Sequence, residues 1–328
     1  MPVHLALYGA GDEAEPWLKA LAARNDVRLL AVCDPLPRLA QQAAAGWGAR
    51  TFEHYTLMLS EEPPDVLLVA VPPRALGDVL DQAVARGIPF LVTPPGATDW
   101  DHARRLARQL HSGSLPAAVA YLEPFTDIVR EARDYLASET AVFARGLWRG
   151  PSGDAPFSTT AFWAAAPPLM QLVTSFLGPI DRLVAVGDAS LAVTCQAATG
   201  AVAQLSFGPP SLHETRLELD LLSPQWELRF TSRPERLRLT ERDKSTSIRS
   251  VNSPHQEILD AFLSALRQGT AEALPVAYAN VLPVLAVCEA VQRSLREQRW
   301  VDLAEFAAAL TMPATPLVPV LDQDGGSS

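Results

Sequence analysis

Along its first 121 positions the chain alternates short, wholly apolar runs with longer stretches of helical period. The apolar runs fall at 3–8 (VHLALY), 28–33 (RLLAVC), 65–71 (DVLLVAV), 89–92 (PFLV) and 117–121 (AAVAY). Amphipathic stretches separate them at 16–24, 36–46, 75–87 and 99–112. A strand that is apolar on both sides must be covered on both sides, and regular alternation with helices makes the sheet parallel. Residues 1–121 are therefore expected to form a doubly wound α/β domain.

Beyond a helix-like stretch at 124–137 and a loop at 150–158 (GPSGDAPFS), the period changes to two. Alternating runs occur at 201–207, 215–222, 226–230 and 236–240. Leu217, Leu219 and Leu221 fall on one side of such a strand, and Arg216, Glu218 and Asp220 on the other. One apolar and one wet face is the mark of an antiparallel sheet. The wet side, continued by Glu227, Arg229, Arg236 and Arg238, is expected to be solvated. It also offers a mixed-charge contact surface for a homodimer or a hetero-partner. Helical period returns at 255–268 and 276–298. Residues 122–312 are thus expected to form an α+β domain with an open antiparallel sheet, and the polar, glycine-rich end, 313–328, a flexible tail. No internal repeat is visible.

Length and composition narrow the class. A chain of 328 residues with 48% hydrophobic and 20% charged positions can fill two cores, which excludes a disordered protein. Its 27 basic against 37 acidic residues lack the clustered cations of a phosphate-backbone binder, so nucleic acid is not an expected partner. Cys33, Cys195 and Cys288 are too few and too scattered for a disulfide framework or a Cys-x-x-Cys metal site. The six histidines show no ligand spacing, so no metal is expected, and no G-x-S-x-G elbow is present. The start of the chain lacks the basic-then-apolar pattern of a leader, and the apolar stretch 161–177 is interrupted by Pro167-Pro168 and by polar residues. The expectation is a cytoplasmic protein with no membrane partner.

Candidate chemistry begins where the first strand ends. Gly9-Ala10-Gly11-Asp12-Glu13-Ala14 is a G-x-G-x-x-A turn leading into a helix. The first glycine permits the tight turn, the second lets backbone approach a pyrophosphate, and the last small residue lets helix meet strand. Asp34, closing the second strand, is placed to bind a ribose 2′-hydroxyl. The turn predicts a Rossmann-type domain with Gly9, Ala10, Gly11, Asp34, Arg38, Val71 and Pro72 around an NAD(P) cofactor. NAD is favoured over NADP, because a 2′-phosphate would face Asp34, although Arg38 softens that preference. A second signal opposes the ligand. Asp12, Glu13 and Glu15 put three acids at a helix N-terminus, where each is worth about 0.3–1 kcal/mol to the helix and repels a phosphate comparably. Pro16 suits a first helical position and would start the helix late. Cofactor occupancy stays open between these signals.

With these pieces in order, the chain resembles the Gfo/Idh/MocA (glucose–fructose oxidoreductase / inositol 2-dehydrogenase) family over nearly its whole length. The likeness rests on the glycine turn, on Ala31-Val32-Cys33-Asp34-Pro35, on Pro64-Asp65-Val66-Leu67-Leu68-Val69-Ala70-Val71-Pro72, on Ala85-Arg86-Gly87, and on Ser294-Leu295-Arg296-Glu297-Gln298-Arg299-Trp300-Val301-Asp302-Leu303. It implies a dinucleotide domain, a C-terminal domain with an open sheet, and hydride transfer to or from sugar or cyclitol carbons.

The departures are specific. Where the family carries Glu-Lys-Pro, this chain has Thr93-Pro94-Pro95. The family's acid, histidine and second acid before a Leu-Gly helix end fall on Ala164, Pro168 and Gln171. Its polar residues after the fourth strand fall on Pro73 and Leu76, and its Asn-Arg-Arg on Leu122-Glu123-Pro124. Hydride transfer from an alcohol needs a group to take the proton and hold the oxyanion, each worth roughly 10²–10⁴ in rate. Proline, leucine and alanine supply neither, so none of the usual catalytic residues is expected. Arg74, Thr93, Tyr121 and Glu123, near the carboxyl ends of strands, are the substrate-cleft candidates, with Glu123 or Tyr121 as an acid. The expectation is a catalytically degenerate relative that binds a nucleotide or another small-molecule ligand. The alternatives are a lysine-independent, biliverdin-reductase-like reductase and a non-catalytic subunit of an active homologue.

Overall fold

Apolar runs too short to leave a polar face build the first layer. The computed structural model describes residues 2–306 except 112–114, 137–140, 152–158, 212–215, 233–234, 243, 270–273 and 275. Strands β1 (Val3–Tyr8), β2 (Val27–Cys33), β3 (Arg50–Phe52), β4 (Val66–Val69), β5 (Phe90–Val92) and β6 (Ala117–Val119) form a parallel sheet in the order β3-β2-β1-β4-β5-β6. Every residue of β4, β5 and β6 is buried. The interleaved helices are α1 (Glu15–Ala22), α2 (Pro37–Ala44), α3 (Tyr55–Glu61), α4 (Val79–Ala85) and α5 (Trp100–His111). The order reverses between β1 and β4, which opens a crevice beyond their carboxyl ends.

Two details depart from the sequence pattern. β3 and α3 were not anticipated, because a three-residue edge strand with two exposed positions carries no periodic signal. Helix α4 starts at Val79 instead of 75. A 3₁₀ turn at Pro73–Ala75 and Gly77, held at φ +55°, break the chain first.

The second layer comprises α6 (Asp127–Leu136), β7 (Phe143–Pro151), α7 (Thr159–Leu177), β8 (Ile180–Gly187), β9 (Leu191–Ala197), β10 (Val202–Ser211), β11 (Arg216–Leu222), β12 (Trp226–Ser232), β13 (Glu235–Glu241), β14 (Lys244–Arg249), α8 (Pro254–Gln268), α9 (Tyr278–Glu297) and β15 (Val301–Asp302). Its sheet runs β14-β13-β12-β11-β7-β10-β9-β8-β15. The expected antiparallel sheet is a mixed one: β7 and β10 pair in parallel, and every other neighbouring pair is antiparallel. α7 and the β8–β9 hairpin intervene between those two strands and return the chain in the same direction.

Leu217, Leu219 and Leu221 are buried, as their spacing requires, but the opposite face is less solvated than expected. Asp220 is only 5% exposed. Its cross-strand neighbours are Arg145 and Arg229, whose guanidinium groups close over it with nitrogens 2.6 Å from Oδ2 and from Oδ1. A carboxylate between two such forks is satisfied without water.

Helix α7 runs unbroken through Pro167 and Pro168. The prolines remove two backbone donors, yet Phe162, Ala166, Leu169, Met170, Leu172 and Val173 are wholly buried, so packing outweighs the lost bonds. No helix among the described residues is long and apolar enough to cross a membrane.

The two layers are tied together. Val119 donates its amide to Val276, and Ala118 bridges Ala277, so a late segment covers the β6 edge of the first sheet. α9 then packs on α5, α7 and β8. Arg24 and Asp26, following α1, form ion pairs with Asp260 and Arg267 of α8. The proposed tail, 313–328, and most of the loop at 150–158 lie outside the described residues.

Candidate functional site

The crevice is built by chain segments that leave β1, β2, β4, β5 and β6 at one end of the parallel sheet. Gly9 follows β1 with φ +93°, and a Cβ there would stand 2.1 Å from the Ala70 carbonyl oxygen and 2.5 Å from Val71 Cγ1. The turn is thus pressed against the end of β4, and this packing alone demands glycine. Gly11 differs: nothing lies within 4 Å of a Cβ built on it, so its outer side opens to the crevice. That open side is what a G-x-G turn needs for a diphosphate to approach its backbone.

Asp34 is 8% exposed and already engaged. Its Oδ2 accepts the Ala10 amide at 2.9 Å and its Oδ1 the Leu36 amide at 2.8 Å. The carboxylate that sequence spacing assigns to a ribose therefore also staples the glycine turn to the end of β2. Each oxygen retains a further lone pair for a hydroxyl. Arg38 is exposed near the start of α2, Val71 is buried, and Pro72 is half-buried at the end of β4.

The three acids of the first turn part ways. Glu15 pairs with Lys19 at 2.6 Å, which lowers its pKa and draws it down the helix. Asp12 is exposed. Glu13 is exposed too, yet the surrounding protein raises its pKa, against an opposing pull from the Thr93 side chain that follows β5. Thr93 Oγ1 lies 3.4 Å from the Val71 carbonyl oxygen. α1 starts at Glu15 with Pro16 in its first turn and no side-chain cap at Ala14.

The other candidates separate. Arg74 is exposed on the 3₁₀ turn after β4, against which α7 packs. The Pro94–Pro95 peptide is cis, and the next residue, Gly96, accepts the Tyr278 hydroxyl at 2.8 Å. Tyr121 does not line the opening. It is fully buried, its hydroxyl meets no partner among the described residues, and burial drives its pKa far up. The tight turn from Tyr121 N–H to the Val119 carbonyl tucks the ring inward. Glu123, half-buried overall, hides Oε2 without a partner among the described residues. Burial, aided by the nearby Glu235 carboxylate, pushes its pKa up to about 7. On α7, Ala164 is exposed, Pro168 half-buried, and the Gln171 Oε1 buried without a partner among the described residues.

A cavity of about 580 Å³ lies outside the crevice, between α2, β3 and α3, lined by Gln41, Arg50, Phe52, His54, Leu57 and neighbours. No cluster of three or more metal-ligating side chains occurs among the described residues.

Comparisons with known proteins agree with this architecture. A family profile described as "Oxidoreductase family, NAD-binding Rossmann fold" (Gfo/Idh/MocA) matches residues 3–121. The rhizopine catabolism protein MocA of Rhizobium meliloti is 28% identical over 130 residues, 40% of this chain and 41% of that protein. Among solved structures, levoglucosan dehydrogenase in complex with NADH and L-sorbose superposes with a TM-score of 0.80 at 15% identity, covering 92% of this chain and 99% of that one. An oxidoreductase from Agrobacterium radiobacter in complex with NAD+, L-tartaric acid and magnesium gives 0.78 at 16%, covering 93% and 100%. A 3-ketoreductase from Actinomadura kijaniata in complex with TDP-benzene and NADP gives 0.75 at 19%, covering 90% and 98%. At such identities the structural likeness establishes the fold. Residues 3–121 thus match the NAD-binding Rossmann domain of the Gfo/Idh/MocA oxidoreductase family.

Proposed function

We propose that this protein uses the family's crevice to bind a nucleotide or another small molecule and has left sugar and cyclitol dehydrogenation behind. One observation carries the reading. The positions that the resemblance assigns to proton-handling groups hold Pro73, Leu76, Pro94, Ala164, Pro168 and Gln171, and its Asn-Arg-Arg falls on Leu122, Glu123 and Pro124, of which Glu123 alone can carry a proton. The open outer side of Gly11 supports NAD(P) as the ligand, with Gly9, Ala10, Val71 and Pro72 shaping the floor. Asp34 supports NAD over NADP, since a 2′-phosphate would meet its carboxylate. When bound, such a cofactor would supply a hydride donor or acceptor. The residues named here bind and orient. The test is NAD(P)H-linked turnover across a panel of sugars and cyclitols, alongside calorimetric NADH binding. Binding without turnover is expected, and robust turnover of any of these substrates would overturn the reading.

Glu123 favours a second reading, a lysine-independent reductase of a conjugated or small carbonyl substrate. A carboxyl group with a pKa near 7 is suited to proton donation at neutral pH. The outer face of the second sheet, with Arg145, Asp220, Arg229 and Arg238 in one cross-strand row, is our proposed contact for a second copy or a hetero-partner.

A further inference from the structure

The outer face of the second sheet inverts the charge of the molecule. The chain has a net charge of −10, yet arginines outnumber acids on the outward side of β7, β11, β12, β13 and β14. Register sets three pairs of these arginines directly opposite each other: Arg149 faces Arg216, Arg229 faces Arg238, and Arg236 faces Arg249. Like charges in that position destabilise a sheet, so folding gains nothing from the arrangement. The acids on the same face are already taken. Arg216 holds Glu218, Arg145 and Arg229 hold Asp220, and Arg229 also reaches Glu227. Arg238 donates to the Ser245 hydroxyl at 2.9 Å. Arg149, Arg236 and Arg249 form no ion pair among the described residues, and Arg236 Nε is buried without a partner among them.

We propose that this face is a docking surface for an acidic segment of another protein, an extended stretch whose carboxylates enter the forks of Arg149, Arg236 and Arg249. The proposal rests on the face being a contact surface, as proposed above. Arginine's planar fork matches a carboxylate through two parallel hydrogen bonds. Four strand spacings of about 4.8 Å separate β7 from β14, so about six extended residues reach from Arg149 to Arg249. Charge decides against the other occupants. In a two-fold contact the face would meet itself, and no acid on it is left to receive the second copy's arginines. Nucleic acid presents an unbroken row of phosphates, which Glu218, Asp220 and Glu227 on the middle strands would repel.

The experiment follows the fluorescence anisotropy of a labelled oligoglutamate peptide at low and at physiological salt. The full chain, the double variant Arg236→Ala/Arg249→Ala and the distant, exposed Arg86→Ala are titrated in, with light scattering and a thermal melt of each protein. The parent should bind, more tightly at low salt. The double variant should bind at least about tenfold more weakly, with a melting temperature no lower than the parent's, because a like-charged pair is gone. Arg86→Ala should change binding by less than about twofold. Equal weakening in Arg86→Ala would overturn the proposal, and so would a double variant that melts well below the parent, since the two arginines would then be structural. Tighter binding of an oligothymidylate of equal length would assign the face to nucleic acid instead. A parent dimer that the double variant dissociates, with no peptide bound, would replace the acidic partner by a second copy and leave the contact reading intact. With neither peptide binding nor a dimer, the contact reading and this proposal fail together.

Discussion

Glu123 shows how burial turns an ordinary side chain into a titrating one. Its pKa is raised from 4.5 to about 7, so the folded state favours the neutral acid. The stabilisation from that preference is complete below the unfolded value and is lost as pH rises through about 7. Glu123→Gln keeps the neutral form at every pH. It should match the parent near pH 4.5 and exceed it at pH 8 by on the order of 1–3 kcal/mol. Denaturant melts at the two pH values measure the difference, and parallel curves at both would remove this account. His255 shifts in the opposite sense for the same reason. Beside Trp17, burial holds its pKa down to about 4, so it stays neutral.

At the level of elements, the glycine turn serves packing before it serves any ligand. Gly9→Ala would force a methyl group against the Ala70 carbonyl at a backbone angle that other residues resist. It should cost at least about 2 kcal/mol in thermal or chemical melts of the ligand-free protein. A loss seen only in ligand binding would assign the residue differently. The same turn illustrates what the amino-acid order makes legible. G-x-G-x-x-A after an apolar strand, and the leucines at 217, 219 and 221, announced their elements because period and turn chemistry are local. β3, the parallel β7–β10 pair and the unbroken α7 depended on distant partners, which no local period encodes. Asp220 looked solvated for the same reason: only strand register brings Arg145 and Arg229 over it.

Across the whole molecule, the two layers depend on each other. Residues 276–277 add to the free edge of β6, and α9 covers α5 while Tyr278 anchors the turn at Gly96. A fragment ending at 121 would expose an unpaired strand edge and the apolar side of α5. It should aggregate or run as a broad, concentration-dependent species in size-exclusion chromatography, and a sharp monomer peak would count against the interdependence. During synthesis the same arrangement imposes a wait. At roughly 5–20 residues per second, β6 leaves the ribosome on the order of ten to thirty seconds before the segment that seals it. For that interval the nascent Rossmann half carries a sticky border that only a chaperone, or patience, can guard.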